Sequence, residues 1–222
     1  MVSNTCNTAI TVPALTAVTG FTAQYSFDNG STWGTSPVSP TTTGCYTIKT
    51  RYVTNACGTI LAGTVALAAC AESVASNAVI FPAAPAAPVV SNTCNTAITV
   101  PVLAAVTGFT AQYSFDDGTS WGTSNVSPTT PGCYTIRTRY VTTGCGTIPA
   151  NTVAPVACAQ SVASNAVIFP TTPSAPVVNN TCNTAITVPA LTAVTGFTAQ
   201  YSFDNGSTWG TSPVSPTTPG CY

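Results

Sequence analysis

Few residues in this chain could do chemistry, and they recur. Asp28 lies between Ser26 and Gly30, with Trp33 close behind, in the run Tyr25-Ser26-Phe27-Asp28-Asn29-Gly30-Ser31-Thr32-Trp33. A carboxylate beside an indole often marks sugar chemistry. The same run returns with Ser114, Asp116, Gly118 and Trp121, and again with Ser202, Asp204, Gly206 and Trp209. The other reactive set is ten cysteines in a chain without a single histidine.

Each chemistry meets a shortage. Without histidine there is no base for a serine or cysteine nucleophile, and no Gly-x-Ser-x-Gly elbow is present. Calcium wants six to eight oxygens with several carboxylates. Copy one offers only Asp28 and Glu72, copy two adds Asp117 to Asp116, and Gln160 replaces Glu72. Zinc sites mix Cys with His or use Cys-x2-Cys pairs, and neither occurs. No catalytic, metal or cofactor site is therefore expected. An even cysteine count at fixed spacing argues instead for disulfides and an oxidising compartment.

Composition points the same way. Only 4% of the 222 residues are charged and the net charge is −1, with Lys49, Arg51, Arg137 and Arg139 the only cationic side chains. Phosphate binding needs a basic cluster, so nucleic acid is not expected as a partner. Thr, Ser, Asn, Gly and Pro interrupt every apolar run well short of the ~20 residues of a membrane helix. No membrane insertion is expected. The opening Met1-Val2-Ser3-Asn4-Thr5 has neither the basic start nor the apolar core of a signal peptide, so an export signal is expected outside this segment.

The elements that hold these residues repeat with an 88-residue period. Cys6, Cys94 and Cys182 keep that step, as do Cys45, Cys133 and Cys221, and Trp33, Trp121 and Trp209. Copies one and two agree at roughly four-fifths of positions, and Val177–Tyr222 matches the first half of copy one. The organisation read from this is a repeat over residues 1–82, a Pro/Ala linker over 83–88, a repeat over 89–170, a Pro-rich linker over 171–176, and half a repeat over 177–222. Proline-rich spacers favour a stiff, extended backbone that holds neighbours in line.

Within copy one, Ala9–Val12, Phe21–Phe27, Cys45–Val53, Thr59–Leu67 and Val74–Phe81 read as strands. Phe21, Ala23, Tyr25 and Phe27 alternate with polar residues, as on a half-buried strand. Tyr46, Ile48 and Tyr52 alternate with Thr47, Lys49 and Arg51, and the cationic side is expected to be a solvated strip. Cys45 shares that side, which puts its bridge outside the central core. Asn29-Gly30 marks a tight hairpin turn, since both central residues need positive φ. No stretch has capped helical periodicity. The fold class is all-β: tandem immunoglobulin-like β-sandwich repeats.

So small a sandwich buries little, and disulfides would add stability. Four cysteines per copy allow three pairings. The preferred one stays within each copy: Cys6–Cys45, Cys57–Cys70, Cys94–Cys133, Cys145–Cys158 and Cys182–Cys221.

The run Ser26-x-Asp28-x-Gly30-x-Thr32-Trp33 resembles the Asp-box of sialidases and other β-propellers. That resemblance implies a structural hairpin remote from catalytic groups. A sialidase would also want an arginine cluster, which two cations per copy do not supply. The hairpin with the following Gly44-Cys45-Tyr46-Thr47-Ile48-Lys49-Thr50-Arg51-Tyr52-Val53 and the closing Ser73–Phe81 resembles repeats of giant Bacteroidetes surface adhesins, of the SprB gliding-motility type. The resemblance implies an immunoglobulin-like fold, type IX export and display on the cell surface as adhesive filaments, without catalytic residues. A structural array with other copies of itself or surface glycans as partners is thus expected. The alternative is a repeated carbohydrate-binding module acting through avidity. Asn29-Gly30-Ser31 and Asn125-Val126-Ser127 are sequons that matter only where glycosylation machinery acts.

Overall fold

The computed structural model describes residues 2–179, 182 and 184–218. The chain is nearly all-β. Copy one has four strands: β1 (Thr5–Cys6), β2 (Phe21–Ser26), β3 (Gly44–Thr54) and β4 (Ser76–Phe81). Copy two repeats them as β5 (Thr93–Cys94), β6 (Phe109–Ser114), β7 (Gly132–Thr142) and β8 (Ser164–Phe169). The strand order is β1-β4-β3-β2 in one sheet and β5-β8-β7-β6 in the other. β1–β4 and β5–β8 pair in parallel, whereas β2–β3, β3–β4 and β6–β7 pair antiparallel.

Three of the five expected strands form, as β2, β3 and β4. The Ala9–Val12 segment makes only a bridge, Thr11 to Val38, and Thr59–Leu67 makes only the bridges Cys57–Ile60 and Val53–Val65. Both follow local turns whose backbone is satisfied by side chains. The Ile10 amide donates to Ser39 Oγ at 2.8 Å, and the Thr54 hydroxyl donates to the Leu61 carbonyl. A short 3-10 turn at Ala68–Cys70 was not signalled by any helical pattern.

The chain packs as two compact units whose limits do not follow the repeats. One is Met1–Val89 with Pro101–Asn125 and Ile136–Ser164; the other is Val90–Val100 with Val126–Thr135 and Asn165–Tyr222.

In the first unit, β4 explains the packing. Ala78 and Ile80 point into a core with Ile10, Val12, Tyr25 and Ile48. Val79 and Phe81 point to the opposite face, where they meet Phe109, Ala154 and Cys158 of copy two, with Cys6, Val106, Tyr140 and Ile148 around them. The unbroken apolar run Ala78-Val79-Ile80-Phe81 is thus buried on both faces. Full burial of a Val or Phe side chain is worth about 1.5–3 kcal/mol. The Phe81 and Phe109 rings sit 5.5 Å apart, tilted by 57°.

This second face corrects the expected cysteine pairing. Cys6 bonds Cys158 and Cys45 bonds Cys145, so both disulfides join copy one to copy two. Cys6 lies opposite Phe81 and Cys45 opposite Val79 in the sheet register. Both thiols therefore flank the outward face of β4, where the neighbouring copy packs. Cys57, Cys70, Cys94 and Cys133 are unpaired and exposed, so Cys57–Cys70, Cys94–Cys133 and Cys145–Cys158 do not form. The expected Cys182–Cys221 bridge involves a residue outside those described. Cys45 does bridge outside the central core.

In the second unit, β5 and β8 pair and the Val167 amide donates to Asn92 Oδ1 at 2.9 Å. Ile98, Val100 and Ile168 are buried, at positions matching Ile10, Val12 and Ile80. The rings of Phe169 and Phe197 sit 5.8 Å apart, repeating the Phe81–Phe109 contact at the next joint.

Candidate functional site: the acidic hairpin and its stacked arginine

The turn after β2 is built by backbone conformation first. Asn29 and Gly30 take φ of 61° and 92°, Asp117 and Gly118 take 60° and 88°, and Asn205 and Gly206 take 56° and 84°. Two successive positive φ values define the type I′ turn, whose twist matches the strands it joins. The Ser31 amide closes it onto the Asp28 carbonyl at 3.4 Å.

Ser26 and Asp28 lock that turn. The Ser26 hydroxyl accepts from the Gly30 amide at 2.8 Å and donates to Asp28 Oδ1 at 2.7 Å. Asp28 Oδ1 also accepts from the Thr32 amide at 2.8 Å, and Oδ2 accepts from the Thr32 hydroxyl at 2.6 Å. Ser114, Asp116 and Ser120 repeat the set, as do Ser202, Asp204 and Thr208. Donors aimed at a carboxylate favour its charged form. The Thr32 hydroxyl and amide, then the Ser26 hydroxyl, lower the Asp28 pKa from 3.8 to about 2. Asp116 and Asp204 fall to about 2 for the same reasons. A carboxylate so held is a poor proton donor near neutral pH, and its oxygens are already engaged by the turn.

The indole closes the turn. Trp33 Nε1 donates to the Gly30 carbonyl at 2.9 Å, and Trp121 to Gly118 likewise. Over the ring lies a cation: Arg51 Cζ is 4.0 Å from the Trp33 centroid, and Arg139 is 4.0 Å from that of Trp121. Arg51 Nε donates to Gln24 Oε1 and Arg139 Nε to Gln112 Oε1, both at 2.9 Å. The expected solvated cationic strip is therefore corrected. β2 and β3 pair so that Gln24 faces Arg51, and the guanidinium is held between that amide and the indole.

The second cation on the strand is paired too. Lys49 Nζ meets Glu72 at 3.0 Å, whereas in copy two Arg137 Nε meets Asp117 at 2.6 Å. The acid has moved from the position of Glu72, now Gln160, into the turn at the position of Asn29. One ion pair per copy is kept by different residues. The sequence patterns revealed neither this exchange nor the Arg–Trp stack, although Gln24 and Arg51 recur unchanged as Gln112 and Arg139.

Among the described residues, no three of His, Cys, Asp or Glu come together as a metal site, and no helix is long and apolar enough to cross a membrane. A cavity of about 630 Å³ lies in the second unit, lined by Pro176, Val188, Leu191, Gln200, Tyr201 and Trp209. No protein-family model matches the chain, and no curated protein is significantly similar to it.

Proposed function

We propose that the chain is part of a structural repeat array, a stiff extracellular stalk of a cell-surface adhesin or filament. The observation that carries this reading is the pair of disulfides joining successive copies, Cys6–Cys158 and Cys45–Cys145. A binding module needs only an intact copy, whereas bonds between copies resist being pulled apart along the chain. Closing a loop of about 100 residues stabilises by roughly 4–5 kcal/mol in the chain-entropy account. Disulfides also favour an oxidising, extracellular setting.

The tandem copies, the two-faced β4 and the Pro-rich spacers support an immunoglobulin-like array whose length can grow through neighbour contacts alone. Attachment or gliding of the adhesin kind, with type IX export, rests on the resemblance of the repeat sequences. The carbohydrate-binding alternative requires an open aromatic platform in each copy. The Arg51 and Arg139 guanidinium groups cover one face of Trp33 and Trp121, which counts against it. The acidic hairpin, with its carboxylate engaged by its own turn, serves as a folding staple in this reading.

Single-molecule pulling between the termini tests the proposal. With the bridges intact, the covalent path bypasses the stretch from Cys6 to Cys158, a sequence separation of 152. At about 3.4 Å per extended residue, reduction should lengthen the unfolded chain by roughly 500 Å. Equal lengths before and after reduction would sink the stalk mechanism.

A further inference from the structure

The type I′ turn after β2 carries a chemical hazard. Two successive positive φ values select Asn followed by Gly. The same pair is the one most prone to deamidation, because a residue without a Cβ lets its amide nitrogen approach the asparagine side chain. The Gly30 nitrogen gives up its proton to solvent and attacks Asn29 Cγ. The new N–C bond closes a succinimide as the Cγ–NH2 bond breaks, and ammonia leaves. Water then opens the ring at either carbonyl, giving aspartate or isoaspartate. One water is consumed and one ammonia released, with no oxidation.

The two products are unequal for this turn. Copy two shows the aspartate form: Asp117 and Gly118 keep both positive φ values, and Ser114, Asp116 and Ser120 keep their bonds. Isoaspartate instead routes the backbone through the side chain and adds a methylene to it. The contacts of Asp28 with the Thr32 amide at 2.8 Å and hydroxyl at 2.6 Å leave no room for that insertion.

Asn29 itself is exposed to water. What the fold controls is the nucleophile. The Gly30 amide donates to Ser26 Oγ at 2.8 Å. Ser26 is 1% exposed, and its own hydroxyl proton goes to Asp28 Oδ1 at 2.7 Å, which turns its lone pairs toward that amide. A second group acts on the same residue. Both Glu72 carboxylate oxygens lie 3.6 Å from where a Cβ on Gly30 would stand, and Lys49 anchors Glu72 at 3.0 Å. A negative charge there opposes the amide anion that must form before attack. In copy two the turn residue is Asp117, which has no ammonia to lose, and the neutral Gln160 takes the place of Glu72.

We propose that Asn29 is a latent deamidation site, and that Ser26 and Glu72 keep it silent by holding the Gly30 amide and opposing its ionisation. Ser202 holds the Gly206 amide beside Asn205 at 2.8 Å in the same way. The acidic hairpin is then a chemical guard as well as a folding staple. This role does not depend on the array reading.

The test incubates the full oxidised chain at mildly alkaline pH and follows the change from amide to acid by mass spectrometry. Trypsin cuts after Lys49 and Arg139, so peptides 1–49 and 140–222 report Asn29 and Asn205 separately. Asn29 should deamidate more slowly in the chain than in a synthetic peptide of residues 21–38. Ser26→Ala should raise its rate about five- to tenfold, the factor that one net hydrogen bond is worth, and leave Asn205 unchanged. Glu72→Gln keeps the hydrogen bonds of the turn and should raise the Asn29 rate by a smaller factor. The Tyr25 and Gly34 amides, which bond across the hairpin at 2.7 and 2.9 Å, separate guarding from stability. Their hydrogen exchange should stay slow in both variants while that of Gly30 quickens in Ser26→Ala. An Asn29 rate equal to the peptide's, or unchanged in either variant, would overturn the proposal. So would a rise at Asn29 matched in both variants by faster exchange at Tyr25 and Gly34, since that would trace it to opening of the hairpin.

Discussion

The guanidinium of Arg51 lies 4.0 Å from the centre of the Trp33 ring, and its Nε donates to Gln24 on the adjoining strand. One side chain thereby ties β3 both to β2 and to the turn that follows β2. A cation–π contact is worth about 0.5–1 kcal/mol at exposed sites and more when desolvated, and a net hydrogen bond adds about 1. Arg51→Ala should therefore cost roughly 1–2 kcal/mol in urea denaturation, and Arg51→Lys less. The indole emission should shift to the red in the alanine variant. An unchanged midpoint would show that the stack contributes nothing.

The acidic turns predict a pH dependence with a definite sign. Asp28, Asp116 and Asp204 all have folded-state pKa values near 2, below the ordinary 3.8, because hydroxyl and amide donors favour the carboxylate. A depressed pKa contributes stability that is present above the unfolded value and lost as pH falls through the folded one. Melting temperature should therefore fall between about pH 4 and pH 2. A variant with Asn at all three positions should start lower at pH 6 and change less across that window. Parallel pH profiles for the two proteins would refute the assignment.

The strands β2 and β3 were legible because alternation and Asn-Gly report directly on a pleated strand and a positive-φ turn. The cysteine connectivity was not. A strict 88-residue period is unchanged when every partner is shifted by one copy, so spacing alone cannot separate a bond within a copy from a bond between copies. The discriminating signal lay in Ala78-Val79-Ile80-Phe81. Four apolar residues in succession mean burial on both faces, and a single copy covers only one face of β4. The Arg51–Trp33 stack was hidden for another reason. Parity puts Arg51 on the polar side of β3, but only the register against β2 brings Gln24 and the hairpin indole to it.

Phe81, inside the joint, and Phe21, the copy-one counterpart of its partner Phe109, should respond differently to truncation. Phe81 is wholly enclosed between copies, so Phe81→Ala leaves a cavity and should cost about 3–5 kcal/mol. Phe21, nearly half exposed, loses little burial, and Phe21→Ala should cost about 1 kcal/mol or less. Urea midpoints of the two variants measure this. Similar losses would mean that the joint at Phe81 is not packed as described.

Cysteine substitution distinguishes the two connectivities without relying on stability. With Cys45 bonded to Cys145, the change Cys145→Ser should leave Cys45 open to alkylation, while Cys6 and Cys158 stay bonded to each other. A bond within each copy would give the opposite pattern: Cys45 would remain joined to Cys6, and Cys158 would be released. Mass mapping of the non-reduced, alkylated variant reads the result directly. The sequence separation of 100 between Cys45 and Cys145 also sets a magnitude. Opening a loop of that length should lower stability by about 4–5 kcal/mol in the chain-entropy account. The loss should be matched by Cys45→Ser alone, and the double variant should lose no more, since either substitution opens the same loop. Release of Cys158 in the Cys145→Ser protein would overturn the inter-copy bonds and the stalk mechanism built on them.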